Sequence, residues 1–269
     1  MLKCEYIGAF LTLRCNLNCS YCINRQADFK VPEEMSADDW IKGLGRLVTR
    51  NDLPITLCGG EPTQHPEFYK IVKGLRGRYM DLLTNGLFST PKFTKEISPD
   101  IFKRNAPYAS IRFSYHRNTN PSILVSKVRG LMLKGYSVGI WGLQHPDMEN
   151  KNKVMKNICK GLDIDYREKE FLDATHGTYK YPDAVNGKEK KHVKCKTTEI
   201  LIGPSGHLFR CHADLYANRN QYGHILDERI TLPDFIDCNN FGSCSACDVK
   251  IKTDRYQVYG RTSVEIKEC

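Results

Sequence analysis

From residue 7 to about 170, short apolar runs alternate with longer segments of mixed polarity. The runs are Ile7 to Leu13, Pro54 to Leu57, Tyr79 to Leu83, Ala109 to Ser114, Ser137 to Leu143 and Leu162 to Tyr166. Each has the length and the apolar bias of a strand. Between them the pattern predicts helices. Ser36 to Arg50 opens on an N-cap serine followed by Asp38 and Asp39 in the first turn. Pro66 to Arg76 and Ser122 to Lys134 carry apolar residues at helical spacing, and Asn150 to Lys160 is read the same way. Strands that alternate with crossover helices of one hand predict a parallel sheet. The fold class is α/β, a partial (β/α)6 barrel. Six units fall short of the eight of a closed barrel, and an open doubly wound sheet fits the same pattern. In either architecture ligands sit at the C-terminal ends of the strands, so the residues just after each run matter most.

The composition shifts near Tyr181. Pro182 to His192 holds turn formers and charge but little to bury, and reads as a linker. The expected organisation is a barrel over residues 1–180, a linker over 181–194 and a small module over 195–269. That module carries six of the twelve cysteines. No repeat, heptad or low-complexity tract interrupts this plan. No stretch reaches the roughly 18 to 20 apolar residues of a membrane span, and the N-terminus lacks the pattern of a secretory signal. The expected location is therefore the cytoplasm, with no membrane partner. A reducing compartment argues against a disulfide framework and for metal ligation by the thiols. The net charge of +9 admits an acidic partner, but basic residues are spread along the chain and no RNA-binding motif accompanies them, so a nucleic-acid partner is not expected.

The chemistry begins directly after the first strand. Cys15, Cys19 and Cys22 form a C-x3-C-x2-C triplet, with Tyr21 before its last member. Structural zinc requires four protein ligands, and no fourth cysteine or histidine lies nearby in sequence. A [4Fe–4S] cubane with three cysteines leaves one iron open to a small molecule. After the second strand stands Cys58-Gly59-Gly60-Glu61-Pro62-Thr63, and after the third Thr84-Asn85-Gly86. The glycines lack a Cβ and permit close backbone approach, and Glu61 offers a carboxylate to a ligand ammonium.

The triplet, the GGEP sequence and the Thr-Asn-Gly turn together resemble the radical S-adenosylmethionine (SAM) superfamily over about residues 7 to 170. The resemblance implies that SAM chelates the open iron, that an electron from the cluster cleaves it to a 5′-deoxyadenosyl radical, and that a donor such as flavodoxin or ferredoxin delivers the electron. It places Gly59, Gly60, Glu61 and Pro62 at the SAM amino group, with Thr84 and Asn85 beside them. Ser114 falls at the ribose or carboxylate, and Gly142 and Gln144 near the adenine. The strand-end rule adds Tyr115, His116, Arg117, Arg167, Glu168 and Lys169 as candidates to face the substrate.

The second cysteine group starts at Cys195. Ile200 to Arg210, with its Pro-Ser-Gly turn, reads as a β-hairpin whose ends bring Cys195 and Cys211 together. Cys244 and Cys247 form a C-x2-C pair. By pattern alone these four make a zinc ribbon. The C-x10-G-x4-C arrangement instead resembles the auxiliary-cluster extension of radical SAM enzymes, the twitch form or the longer SPASM form. That resemblance implies a second [4Fe–4S] cluster on Cys195, Cys211, Cys244 and Cys247. Cys238 and Cys269 belong to the same module and are candidates for hydrogen-atom donation or alternative ligation. Cys58 and Cys159 are expected to be buried apolar residues, and Cys4 has no assigned role. The implied reaction is hydrogen abstraction from a sugar, alcohol, amino sugar or peptide, ending in oxidation, epimerisation or bond formation. Since the chain starts at the first barrel strand, no leader-peptide domain is expected, which favours the small molecule. An RNA-modifying enzyme, and a single-cluster enzyme with a zinc ribbon, are the alternatives.

Overall fold

The computed structural model describes residues 2–4, 6–22, 24, 33–49, 53–169, 191–197, 199–241 and 264–269. In chain order the first half comprises β1 (Leu2–Cys4), β2 (Tyr6–Thr12), α1 (Ala37–Gly45), β3 (Leu47–Thr49), β4 (Ile55–Gly59), α2 (Phe68–Gly74), β5 (Met80–Thr84), α3 (Thr90–Glu96) and β6 (Ile111–Tyr115). Then follow α4 (Pro121–Met132), β7 (Val138–Leu143), α5 (Glu149–Gly161), β8 (Asp165–Lys169), β9 (Lys191–Thr197), β10 (Glu199–Ile202), β11 (Leu208–Phe209), α6 (His212–Tyr216), β12 (Ile236–Phe241) and β13 (Val264–Glu268).

The eight-stranded sheet has the order β11-β10-β2-β4-β5-β6-β7-β8. All neighbours are parallel except the β10–β11 hairpin. The first five strands read from the sequence form its centre; the sixth run, Leu162 to Tyr166, overlaps the edge strand β8 only at Asp165 and Tyr166, because Leu162 caps α5. Ile7, Ala9, Leu11, Ile55, Leu57, Met80, Leu82, Ile111, Phe113 and Ile140 join Trp40, Phe68, Phe93 and Val128 in the main core between sheet and helices. The alternate residues therefore face the concave side.

Helices α1, α3 and α4 begin where side chains satisfy their first backbone donors. Ser36 Oγ accepts from Asp39 N at α1, and Asn120 Oδ1 accepts from Ser122 N and Ile123 N at α4. Three features differ from the sequence reading. The first helix stops at Gly45, because Leu47–Thr49 extends as β3 and pairs with β1. Helix α3 was not expected; it is seven residues long and buries only Phe93. The hairpin expected within a separate module is part of the large sheet: β10 is buried throughout and pairs in parallel with β2, covering what would otherwise be an open strand edge.

Of the expected linker, 191–194 lie in β9 and 181–190 fall outside the described residues. Strand β9 is the centre of an antiparallel sheet of order β12-β9-β13. Among the described residues no helix is long and apolar enough to cross a membrane.

Candidate active site

The loop after β2 carries Cys15, Cys19 and Cys22 at the C-terminal end of the sheet, Cys15 exposed and the other two half-buried. A Cys22 N–H bond to Cys19 O (3.1 Å) turns the loop's end. Cys15 Sγ accepts from Leu17 N (3.4 Å) and Asn85 Nδ2 (3.7 Å). Burial, opposed by the Leu17 bond and reinforced by Glu61 and Cys22, pushes the Cys15 thiol up. Such a thiol needs a metal partner to become a ligand thiolate.

The two glycines of the next loop bring β4 against this one. Gly59 has φ of +130°, and a Cβ there would lie 2.1 Å from Thr12 O. A Cβ on Gly60 would lie 2.3 Å from Arg14 O and 2.6 Å from Leu13 O. Gly60 N donates to Thr12 O and Glu61 N to Arg14 O, both at 2.8 Å. The glycines thus admit the backbone of the cysteine loop. The near end of that loop is tied further by Arg14, which pairs with Glu34 (2.5 Å), and by Thr12, whose hydroxyl also bonds Glu34.

Glu61 is fully buried. Its carboxylate accepts from Thr63 N (3.2 Å), Thr63 Oγ1 (2.7 Å), Thr84 Oγ1 (2.8 Å) and Asn85 N (2.7 Å). Burial raises its pKa and these bonds oppose the rise. Its place is inside the protein, beneath the Thr84–Gly86 turn, where it orders that turn. Asn85 then spans to the cysteine loop, donating to Asn16 Oδ1 at 2.7 Å, while Asn16 Nδ2 donates to Leu87 O at 3.0 Å. Pro62 opens a short 3-10 turn, Pro62–Gln64, and is buried. The sequence reading gave Asn16, Thr63 and Glu34 no role, because single polar residues in loops carry no periodic signal.

Strand alternation sorts the remaining candidates. Ser114 lies on the concave side and accepts from Lys169 Nζ at 3.4 Å. Tyr115 faces the other way and is buried in the main core, so it is removed from the substrate-facing set. Arg167 is also removed: it pairs with Asp165 (3.1 Å), bonds Pro107 O and lies over the Tyr108 and Trp141 rings, towards the N-terminal end of the strands. Gln144 is exposed and reaches Glu168 at 3.4 Å. Gly142 is packed against β8, where a Cβ would lie 2.3 Å from Tyr166 Oη. Arg117 pairs with Asp147 at 3.1 Å.

His116 joins the cysteine loop: Tyr21 Oη stands 3.4 Å from its Nδ1. The Tyr21 ring also lies 5.3 Å from that of His145. Burial and the Lys169 charge lower His116 to about 4, so it is neutral at neutral pH. Beside this group opens a cleft of about 620 Å³ lined by Cys19, Tyr21, Asn85, His116, Arg117 and Lys127.

The second thiol group forms around Arg210. Cys195 and Cys211 are buried and Cys238 half-buried. Burial lowers the Arg210 pKa, but Cys211, Asp214, Cys238 and Cys195 together raise it above its ordinary value. Arg210 is held by Asp214 Oδ2 (3.0 Å) and Asp237 O (3.1 Å). Cys244 and Cys247 lie outside the described residues. The structure thus places Cys238 with Cys195 and Cys211, while Cys269 is exposed beside His192 and Asp237. Cys58 and Cys159 are buried, and burial pushes the Cys159 thiol to about 11.

Residues 10–115 match the model of the radical SAM superfamily. Among curated proteins the chain is 31% identical over 90 residues to a PqqA peptide cyclase of Bradyrhizobium diazoefficiens, which is 33% of this chain and 24% of that protein. It is 32% identical over 85 residues to the PqqA peptide cyclase of Ruegeria pomeroyi, 31% of this chain and 23% of that protein. The match spans about a quarter of the length of these relatives. Among solved structures, anSMEcpe with bound AdoMet superposes with a TM-score of 0.59 at 14% identity, covering 84% of this chain and 78% of that one. Streptococcus suis SuiB bound to precursor peptide SuiA gives 0.53 at 11% identity, with coverage of 84% and 63%. At these identities the likeness is one of fold.

Proposed function

We propose that this chain is a radical enzyme that cleaves SAM at a [4Fe–4S] cluster held by Cys15, Cys19 and Cys22, and acts on a peptide. The observation that carries the reading is the three-thiol loop, locked by Gly59, Gly60 and Asn85 onto the C-terminal end of a parallel sheet within the stretch that matches the radical SAM superfamily. Three thiols with N–H donors on Cys15 suit a cubane that keeps one iron open. When bound, the cluster supplies one electron that splits a sulfonium C–S bond of SAM, giving methionine and a 5′-deoxyadenosyl radical that takes a hydrogen atom from the substrate.

The chain's own residues position the partners. Glu61 holds the Thr84–Gly86 turn, and Asn85 on that turn fixes Asn16 within the cysteine loop. The backbone of Gly59 to Pro62 borders the SAM amino group, and Ser114 with Lys169 offers a hydroxyl and an ammonium to a carboxylate or ribose. Gln144 lies at the adenine end. Neutral His116 and Tyr21 form one wall of the cleft, which admits the substrate beside the cluster.

The peptide reading replaces the small molecule favoured by the sequence. It rests on the relatives' names: two PqqA peptide cyclases and SuiB bound to a precursor peptide. A second cluster is proposed at Cys195, Cys211 and Cys238, completed by Cys244 or Cys247, with Arg210 balancing thiolate charge. A flavodoxin or ferredoxin is the proposed electron donor.

The test is anaerobic turnover with dithionite and SAM. The wild-type protein should carry about eight irons, the content of two cubanes, and release 5′-deoxyadenosine. Cys15→Ala with Cys19→Ala and Cys22→Ala should release none. Cys195→Ala with Cys211→Ala should lose about half the iron yet still cleave SAM. A triple variant that still makes 5′-deoxyadenosine would refute the assignment. Deuterium passing from a labelled peptide into 5′-deoxyadenosine would support the substrate class; transfer from a labelled sugar or alcohol instead would return the reading to a small molecule.

A further inference from the structure

The three-stranded sheet has two chemically different faces. Along β9, Val193 and Cys195 turn to one side and His192 and Lys194 to the other. Cys195 lies opposite Ile236, and Cys238 opposite Val193, so the two buried-side thiols share the face that meets Arg210. Asp237 and Lys267 both pair with Lys194, which puts them on the second face. Glu268 pairs with Val193, so one further step along the chain brings Cys269 alongside His192.

On that second face the ligand atoms of His192, Asp237 and Cys269 all lie within 4.8 Å of one another. His192 Nε2 and Asp237 Oδ1 are 3.3 Å apart. The simplest account is an exposed histidine–aspartate pair with a thiol nearby, worth little to stability. It leaves unexplained why three different donor types, from β9, β12 and the residue that follows β13, meet at one end of the sheet. Two nearby lysines are drawn elsewhere. Lys196 pairs with Asp234 at 2.9 Å, and Lys267 Nζ lies 3.8 Å from the centre of the Phe235 ring.

We propose that His192 Nε2, the Asp237 carboxylate and Cys269 Sγ form a zinc site, with water in the fourth position. The donor set decides the metal. Magnesium and calcium take oxygen ligands, whereas an imidazole, a carboxylate and a thiolate suit a borderline-soft ion with tetrahedral preference. Ligand bonds of about 2.0 to 2.3 Å require the three atoms to draw in by about an ångström at most, within reach of exposed side chains. On binding, the Cys269 thiol gives its proton to solvent and no electron is transferred. The ion would clip β13 and β12 to β9, the strand that carries Cys195. This site is separate from the iron–sulfur reading and does not rest on it.

The experiment uses the cluster-loaded protein, supplied with Zn²⁺ anaerobically and desalted. Zinc content and zinc K-edge absorption are then measured, and iron does not interfere with that edge. About one zinc per chain is expected, with one sulfur and about three nitrogen or oxygen neighbours. Cys269→Ala or His192→Ala should weaken zinc binding at least about tenfold, the size of a lost ligand effect. Cys195→Ala should leave it unchanged. Three or four sulfur neighbours, with zinc lost in Cys195→Ala, would place the metal in the cysteine group and overturn the proposal. So would affinity unchanged in His192→Ala, or no zinc retained by the wild-type protein.

Discussion

Gly60 shows how one missing methyl group supports the chemistry. An added Cβ would meet Arg14 O at 2.3 Å, a backbone atom that cannot rotate away. Gly60→Ala should therefore push the cysteine loop off β4 and lower the iron retained after reconstitution. Gly45→Ala, where nothing lies within 4 Å, is the matched control and should retain wild-type iron. Equal iron in both variants would show that the loop does not depend on this contact. His116 provides a pH signature. Its folded pKa of about 4 lies below the ordinary 6.5, so between those values the unfolded chain binds more protons. The contribution is full above pH 6.5 and is lost as pH falls towards 4. By pH 5 the loss amounts to about 2 kcal/mol. Denaturant titrations at pH 7 and pH 5 should show the wild-type protein losing more stability than His116→Gln by about that amount; equal losses would contradict it. The motif residues were legible because each is a rare type at a fixed spacing. Their roles were less so: Glu61 read as a ligand group, yet it is enclosed by Thr63, Thr84 and Asn85.

At the scale of elements, the central strands β2, β4, β5, β6 and β7 were readable because they are largely buried and apolar, whereas edge strand β8 has no fully buried residue. Which side chain faces which way was harder. Tyr115 and Ser114 are adjacent, and only the register of β6 sends one to the core and the other to the concave side. The place of β10 was hidden for a different reason. A hairpin is a local pattern, but its pairing joins Glu199–Ile202 to Tyr6–Ala9, far apart in the chain. The same concave side holds Asp81, fully buried between Arg104 (2.7 Å) and Arg112 (2.9 Å). Removing it leaves a guanidinium that is itself only 2% exposed without its counter-ion. Asp81→Ala should thus cost about 3 to 5 kcal/mol, seen as a lower denaturant midpoint at unchanged slope. A loss under about 1 kcal/mol would show that the two arginines find other partners.

The whole molecule joins a partial barrel, which brings three thiols to the mouth of its sheet, to a smaller sheet whose Cys195 and Cys238 face Arg210 and Cys211 at the end of the large sheet's hairpin. Continuity between them comes from the β10–β11 hairpin, whose Arg210 reaches Asp237 on β12. The central claim is that the first loop holds a cluster with an iron open to SAM. Electron paramagnetic resonance of the dithionite-reduced Cys195→Ala, Cys211→Ala variant measures this directly, because only the first cluster should remain. Adding SAM should change the signal's g values as the ligand joins the open iron, with 5′-deoxyadenosine appearing on longer incubation. A reduced-cluster signal identical with and without SAM, at concentrations that saturate binding, would contradict the account.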